Sequence, residues 1–572
     1  MNTQTGPKSR NPKSLLLVAS AIVVLLSACA APAAAPASQA ERSRNYGAAP
    51  AAPAPAAAAP TQAQAAEAPR NIAPAPSGAV AADQQQQAGT GPRPITVDPN
   101  AGSRMAPEPT SVSQPQTPPK DETYRDYGVN PWVNTAQDHL STFALDVDTA
   151  SYSVMRRYIN EGTLPPFASV RAEEYINYFV QDYPIPSREA TFGVYVDGAP
   201  SPFVQDGSYI LRVGVQGYTV PERERKPANL VLVIDESGSM AEGGRLEVVK
   251  DSLTFLINKL RPDDTVGIVT FSDDARVVLN PTSVRNRDRI LDVIYALQPT
   301  NGTNTQAGLH LGYEMINNSF RADAVNRVIL ATDGVANQGI VDPEAILSSM
   351  GSYLRQDVYL TAVGFGRGNF NDDFLQRLAD KGDGMYSYVD TLDEAKKTFS
   401  DNIVSALQPI AKDAKVQVDF NSDVVSEYRL IGYEDRAVAD QDFRNDAVDA
   451  GELNAGHNAT AIYAIKLRAG AERRGKIGSV YLRWQDVNTQ QVKELTGEVF
   501  TTDLAANFVA ASPRYQMNVV VAEFAEILRQ SPYTNTSLRV LSDYAGNVAG
   551  QLSDDKDVQE FAQLVQIASA RR

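Results

Sequence analysis

From Asn229 to about Leu407, short apolar runs alternate with longer stretches whose apolar residues recur every three or four positions. The runs Leu230–Ile234, Thr265–Phe271, Arg327–Thr332, Val358–Phe365 and Met385–Val389 predict buried strands. Between them the spacing predicts helices at Leu246–Leu260, Arg287–Leu297, Gln306–Asn317, Pro343–Leu354, Asp372–Ala379 and Leu392–Leu407. The first is the clearest, because Leu246, Val249, Leu253, Leu256 and Leu260 form one continuous stripe. Strands apolar on both faces and separated by helices imply a mostly parallel sheet covered on both sides.

On either side of this unit the period drops to two. Phe192–Val196 and Tyr209–Val215 precede it, and Lys415–Phe420, Tyr428–Gly432, Thr460–Leu467, Ser479–Trp484 and Glu494–Thr501 follow it. The economical architecture is a β-sandwich built from 191–225 and 411–503, with the α/β unit 229–407 inserted through a surface loop. Residues 121–190 read as a largely helical flank. Within it Ser141–Val147 reads as a strand, followed by a helix capped by Thr149 or Ser151 that Gly162 ends, and a second helix at Ser169–Phe179. Residues 504–572 form a helical tail with Val519, Val520, Phe524, Ile527 and Leu528 on one face.

Length and composition add a different kind of segment. A chain of 572 residues is too long for one core. Residues 29–120 are rich in Ala, Pro and Gln with few aromatics, so they bury too little apolar surface to offset ordering and are expected to be a disordered tether. Ahead of them, Lys8, Arg10 and Lys13 precede the apolar run Leu15–Leu26, and residues 1–28 read as a secretory signal. Leu26-Ser27-Ala28-Cys29 resembles the bacterial lipobox, which implies that Cys29 is acylated and anchors the mature chain to a bacterial membrane at the cell envelope. Cys29 is the only cysteine, so neither an intrachain disulfide nor a thiolate metal cage is available. A formal net charge of -16 argues against a nucleic-acid partner, which needs a basic face.

Candidate chemistry gathers at three points. Asp235-Glu236-Ser237-Gly238-Ser239 follows the strand Leu230–Ile234, Thr303 lies just ahead of the helix Gln306–Asn317, and Thr332-Asp333-Gly334 ends the strand Arg327–Thr332. In an open α/β sheet all three segments emerge at the carboxyl edge, where ligands bind. Asp235, Ser237, Ser239, Thr303 and Asp333 thus converge as hard oxygen donors suited to Mg²⁺, with Mn²⁺ or Ca²⁺ as alternatives. Helix capping alone would explain Ser and Thr there, but not the complete set of five.

This order and spacing resembles the von Willebrand factor type A (VWA) domain and its metal-ion-dependent adhesion site, D-x-S-x-S … T … D, over roughly 229–407. The resemblance implies a Rossmann-like fold in which the serines and threonine contact the ion and the aspartates act largely through water. Neutral hydroxyls leave the ion under-neutralised, so an open position attracts the Asp or Glu carboxylate of a protein partner. The stretches 138–179 and 427–465 look like the regions that flank the A domain in certain bacterial A-domain lipoproteins.

Other motifs carry less. Asp146 to Ser151 echoes the first metal loop but lacks the spaced serines, and helix capping accounts for it. Gly364, Gly366 and Gly368 lack dinucleotide spacing and read as a turn. The three histidines, His139, His310 and His457, fall in separate segments with no nucleophile beside them. One cation without a general base is poor equipment for hydrolysis, so no enzyme activity is expected. The reading is an exported, lipid-anchored binding protein; the alternative is an assembly or regulatory factor for another envelope complex or an AAA+ ATPase.

Overall fold

The computed structural model describes residues 122–571, apart from 146, 335–337, 352–356, 367–369, 472–474 and 535. The signal, Cys29 and the tether therefore lie outside the described residues, as do Asp146 and Gly368. The chain begins with β1 (Glu122–Thr123), β2 (Val133–Asn134), β3 (Leu140–Ala144), α1 (Ala150–Asn160), α2 (Ala172–Asn177), β4 (Phe192–Pro200) and β5 (Ser208–Gly217). The inserted unit runs through β6 (Ala228–Asp235), α3 (Arg245–Lys259), β7 (Thr265–Phe271), β8 (Ala275–Ser283), α4 (Arg287–Tyr295), α5 (Thr305–Asn318) and β9 (Val325–Thr332). It continues with α6 (Pro343–Ser349), β10 (Val358–Phe365), β11 (Phe370–Asn371), α7 (Asp372–Lys381), β12 (Met385–Val389), α8 (Leu392–Lys396) and α9 (Ile403–Ala406). A π-helical turn, Lys397–Asn402, interrupts the single helix expected over 392–407.

The central sheet has the order β12-β10-β9-β6-β7-β8. All neighbours are parallel except β8, which runs antiparallel to β7. Apolar clusters cover both faces, with Leu230, Leu232 and Ile234 of β6 pointing to one and Val231 and Val233 to the other. That two-sided burial is why β6 reads as an unbroken apolar run. Chain order reverses between β6 and β9, which opens a crevice at their carboxyl ends. The sequence pattern missed β8 because it is an exposed edge strand with Arg276, Asn280 and Pro281 breaking any period.

The remaining strands, β13 (Pro409–Phe420), β14 (Val425–Ile431), β15 (Gly451–Asn454), β16 (Asn458–Leu467), β17 (Lys476–Asp486) and β18 (Val492–Phe500), complete the sandwich. One sheet is β15-β13-β17-β18 with β3 also beside β13, and the other is β2-β14-β16-β5-β4. Their inner faces share a core in which Phe192 meets Trp484 edge-to-face at 5.0 Å. A third layer covers the outer face of the second sheet: α1 and α2 with α10 (Pro513–Leu528), α11 (Leu538–Gln551) and α12 (Lys556–Ser569). The fold is thus a VWA-type α/β unit inserted in a β-sandwich with helical flanks.

In the N-terminal flank the strand read at Ser141–Val147 is β3, which pairs with β13, whereas β2, which pairs with β14, escapes the sequence reading. One expectation needs correcting: neither Thr149 nor Ser151 caps α1, whose N-cap residue Thr149 makes no side-chain cap bond. The Glu174 carboxylate accepts from the Ser151 N–H at 2.7 Å instead, and the Ser151 hydroxyl donates to the Ser169 carbonyl. A charged acceptor brought from α2 meets the unsatisfied amides of α1 better than a hydroxyl would.

Candidate metal centre

The centre is built on the last residue of β6. Ile234 pairs with Ala331, so Asp235 lies level with Thr332 at the end of β9. Asp235 is fully buried and both of its oxygens are held. Oδ1 accepts from the Ser237 N–H at 2.8 Å, closing the turn that follows the strand, and Oδ2 accepts from the Thr332 hydroxyl at 2.6 Å. Burial pushes the Asp235 carboxyl up to about 7, the charge of nearby Asp333 adds to this, and the bonds from Thr332 and Ser237 oppose it.

The turn presents the two serines side by side, with Ser237 Oγ 3.0 Å from Ser239 Oγ. Ser237 is buried while Ser239 is half-buried at the rim. The loop carrying Thr303 is tied to this turn through Glu236, whose carbonyl accepts from both the N–H and the hydroxyl of Thr300. It is tied to β7 through the Asn304 N–H, which donates to the Ser272 carbonyl at 2.7 Å. Asn304 also caps α5 by accepting from the Ala307 N–H. Thr303 is buried in this junction, and its carbonyl accepts from the Gln338 N–H at 3.2 Å. Asp333 follows Thr332 and is likewise fully buried. The fold therefore brings all five sequence-predicted residues to one edge of the sheet, on three hydrogen-bonded loops.

One participant escaped the sequence reading. Arg245, the first residue of α3, donates from Nη1 to Asp333 Oδ2 and to the Ser239 carbonyl, both at 3.0 Å. Its path runs beside Gly366 (φ 106°), where a Cβ would come within 2.3 Å of Arg245 Nε. That is why a glycine stands there. A signal was available: an arginine opening a helix opposes the helix dipole, and a position held against that bias serves something else. Among the described residues, the two buried carboxylates and one buried guanidinium carry a formal charge of about -1 when Asp235 is ionised.

Comparison with known proteins agrees with this layout. The model for the von Willebrand factor type A domain matches residues 229–402, and a von Willebrand factor model matches 118–211. A model described as "Uncharacterized protein YfbK, C-terminal" matches 405–570. Over 485 residues the chain is 34% identical to "Uncharacterized protein YfbK" of Escherichia coli (strain K12), covering 80% of this chain and 82% of that one. The chain belongs to the YfbK family. To a Synechocystis protein the chain is 34% identical over 189 residues, covering 33% of this chain and 44% of the relative. With human inter-alpha-trypsin inhibitor heavy chain H4 it is 26% over 184 residues, 31% of this chain and 19% of the relative. Among solved structures, a von Willebrand factor type A protein from Catenulispora acidiphila covers 65% of this chain and 89% of its own, at 14% identity and a TM-score of 0.39. This YfbK-family chain is a VWA-domain protein, a class of interaction modules. No helix among the described residues is long and apolar enough to cross a membrane.

Proposed function

We propose that the carboxyl edge of β6 and β9 holds a divalent cation and uses it to dock an acidic residue of a partner protein at the cell envelope. The observation that carries this is the serine pair. Mg²⁺ takes octahedral oxygen at about 2.1 Å, so adjacent ligands stand about 3.0 Å apart. The hydroxyls of Ser237 and Ser239 are separated by 3.0 Å. Ca²⁺, with bonds of about 2.3–2.6 Å, wants a wider edge. The two hydroxyls hydrogen-bond to each other at 3.0 Å, and a set made wholly of oxygen donors suits Mg²⁺, with Mn²⁺ or Ca²⁺ as alternatives. Ser237, Ser239 and Thr303 would contact the ion, while Asp235 and Asp333 would supply charge from behind. When bound, such an ion is a Lewis acid at the rim.

Charge explains the choice of partner. A centre near -1, loaded with a divalent ion, ends near +1 in a buried setting, which favours an anionic oxygen from outside. We take the exported, Cys29-anchored arrangement and the segment boundaries read from sequence as part of this proposal.

A proton and a cation compete for the Asp235 carboxylate. Apparent Mg²⁺ affinity is therefore expected to fall by up to about tenfold per pH unit below about 7. Calorimetric titrations on either side of that pH check it, and a flat response would contradict it. The partner is tested by photo-cross-linking in intact cells from Asn301, which is exposed beside the centre. Capture is expected in Mg²⁺ and not after chelation or in Ser239→Ala. Equal capture in all three would remove metal-bridged docking.

A further inference from the structure

A cleft far along the chain from the metal centre has the character of a ligand site. It opens between the outer face of β14, β16 and β5 and the helix α10, and encloses about 160 Å³. Ile210, Ile462, Ala464 and Val519 make its floor, and Trp132, Phe203 and Tyr533 its walls. That volume holds a benzene-sized body, and Ser201, Asp206, Ser208 and Glu523 line it beside the apolar side chains.

One polar group in it is short of partners. Arg429 is 4% exposed, and its residue neighbours on β14, Tyr428 and Leu430, face the sandwich core while it faces the cleft. Nη2 donates to Glu526 Oε2 at 2.8 Å, but Nε and Nη1 are buried without a hydrogen-bond partner. Glu526 cannot make up the deficit. It already accepts from Arg529 and from the Ser531 hydroxyl, and Arg529 also pairs with Glu434 at 2.9 Å. The Tyr533 ring lies across the guanidinium, with its centroid 4.6 Å from Cζ. Buried guanidinium N–H groups left unmatched are costly, and because Nε–H and Nη1–H point to opposite sides, an anionic oxygen meets one of them at a time. Beside Arg429, Glu523 accepts from the Thr534 hydroxyl, and burial pushes its carboxyl up to about 7. At the mouth, Lys466 holds Glu427 at 3.0 Å and Asp206 at 3.8 Å, so those acids do not face the cleft unpaired.

We propose that this cleft binds a carboxylate attached to a small apolar body, the anion on an unclaimed N–H of Arg429 and the body between Trp132, Phe203 and Tyr533. Such a group occurs on a small free acid and on the last residue of a peptide ending in an apolar side chain. The chemistry is the same in both.

The test uses the full chain, with benzoate and benzamide as one pair of probes. A tripeptide ending in phenylalanine, with a free or an amidated terminus, is the other pair. Binding is read by saturation-transfer NMR and calorimetry. In at least one pair the acid is expected to bind tenfold or more tighter than its neutral counterpart, and which pair does so names the source. Arg429→Lys keeps a charge for Glu526 but removes the unclaimed N–H groups, and is expected to weaken the acid at least tenfold. Phe203→Ala, at a half-buried wall, is expected to weaken it about threefold with the fold unchanged by circular dichroism. The inference is overturned if neither acid outbinds its amide, or if binding persists unchanged in both variants.

Discussion

Asp235→Asn is expected to lose divalent-cation binding by at least a hundredfold and yet to make the metal-free protein more stable. The first effect is electrostatic: a single negative charge about 5 Å from a divalent ion contributes about 7 kcal/mol at an effective dielectric of 20, well beyond a hundredfold. The second follows from the raised carboxyl. Unfolded, the group ionises near its ordinary value of about 3.9, whereas folded it holds its proton up to about 7. Between these limits the native state binds more protons than the unfolded one, so its stability falls as pH rises through the window. Above about 7 the full penalty is in place. Asparagine removes it while its amide oxygen still accepts from the Ser237 N–H, and the Thr332 hydroxyl can reverse to accept. A gain of about 1–3 kcal/mol is expected in chelator at neutral pH or above, shrinking toward pH 4. Thermal melts in chelator and in Mg²⁺, at two pH values, measure both effects. A variant less stable in chelator at every pH would show that Asp235 is there for folding and not for an ion.

Arg171→Ala is expected to be among the most destabilising single changes in the protein. Arg171 is 4% exposed and pairs with Glu174 through Nε and with Asp372 through Nη1 (2.6 Å) and Nη2 (3.2 Å). Each acid has a second task. Glu174 accepts from the Ser151 N–H at the start of α1, and Asp372 opens α7 and accepts from the Tyr386 hydroxyl at 2.7 Å. Removing the guanidinium leaves two buried carboxylates facing each other, a loss of about 3–5 kcal/mol. Arg171→Lys keeps the charge without the fork and is expected to lose about half as much. Urea denaturation followed through the buried Trp484 checks both, and a loss below about 1 kcal/mol for the alanine variant would show that the acids find other partners.

The α/β unit was legible because its evidence is local. Five strands and the helices between them were read from period alone, and a strand buried on both faces has no other way to appear. The exceptions are instructive. β8 sits at an edge with one exposed face, and β15 (Gly451–Asn454) is too short to show a period. In the N-terminal flank β3 was legible and β2 was not, because β2 is two residues long and finds its partner across about 290 residues of sequence. No periodicity reports a partner that distant.

The centre divides in the same way. D-x-S-x-S after an apolar strand, a threonine ahead of a helix and T-D-G after another strand set five donors at one sheet edge, because strand direction and strand ends are written in the local pattern. Only the tertiary structure decided that Arg245 would neutralise Asp333, that Glu174 would cap α1, and that Arg429 would line a cleft with Nε and Nη1 unclaimed. Each of those depends on how long side chains from separate elements meet. Backbone propensity is a short-range property, whereas the pairing of buried charge is settled by which surfaces the folded chain presses together.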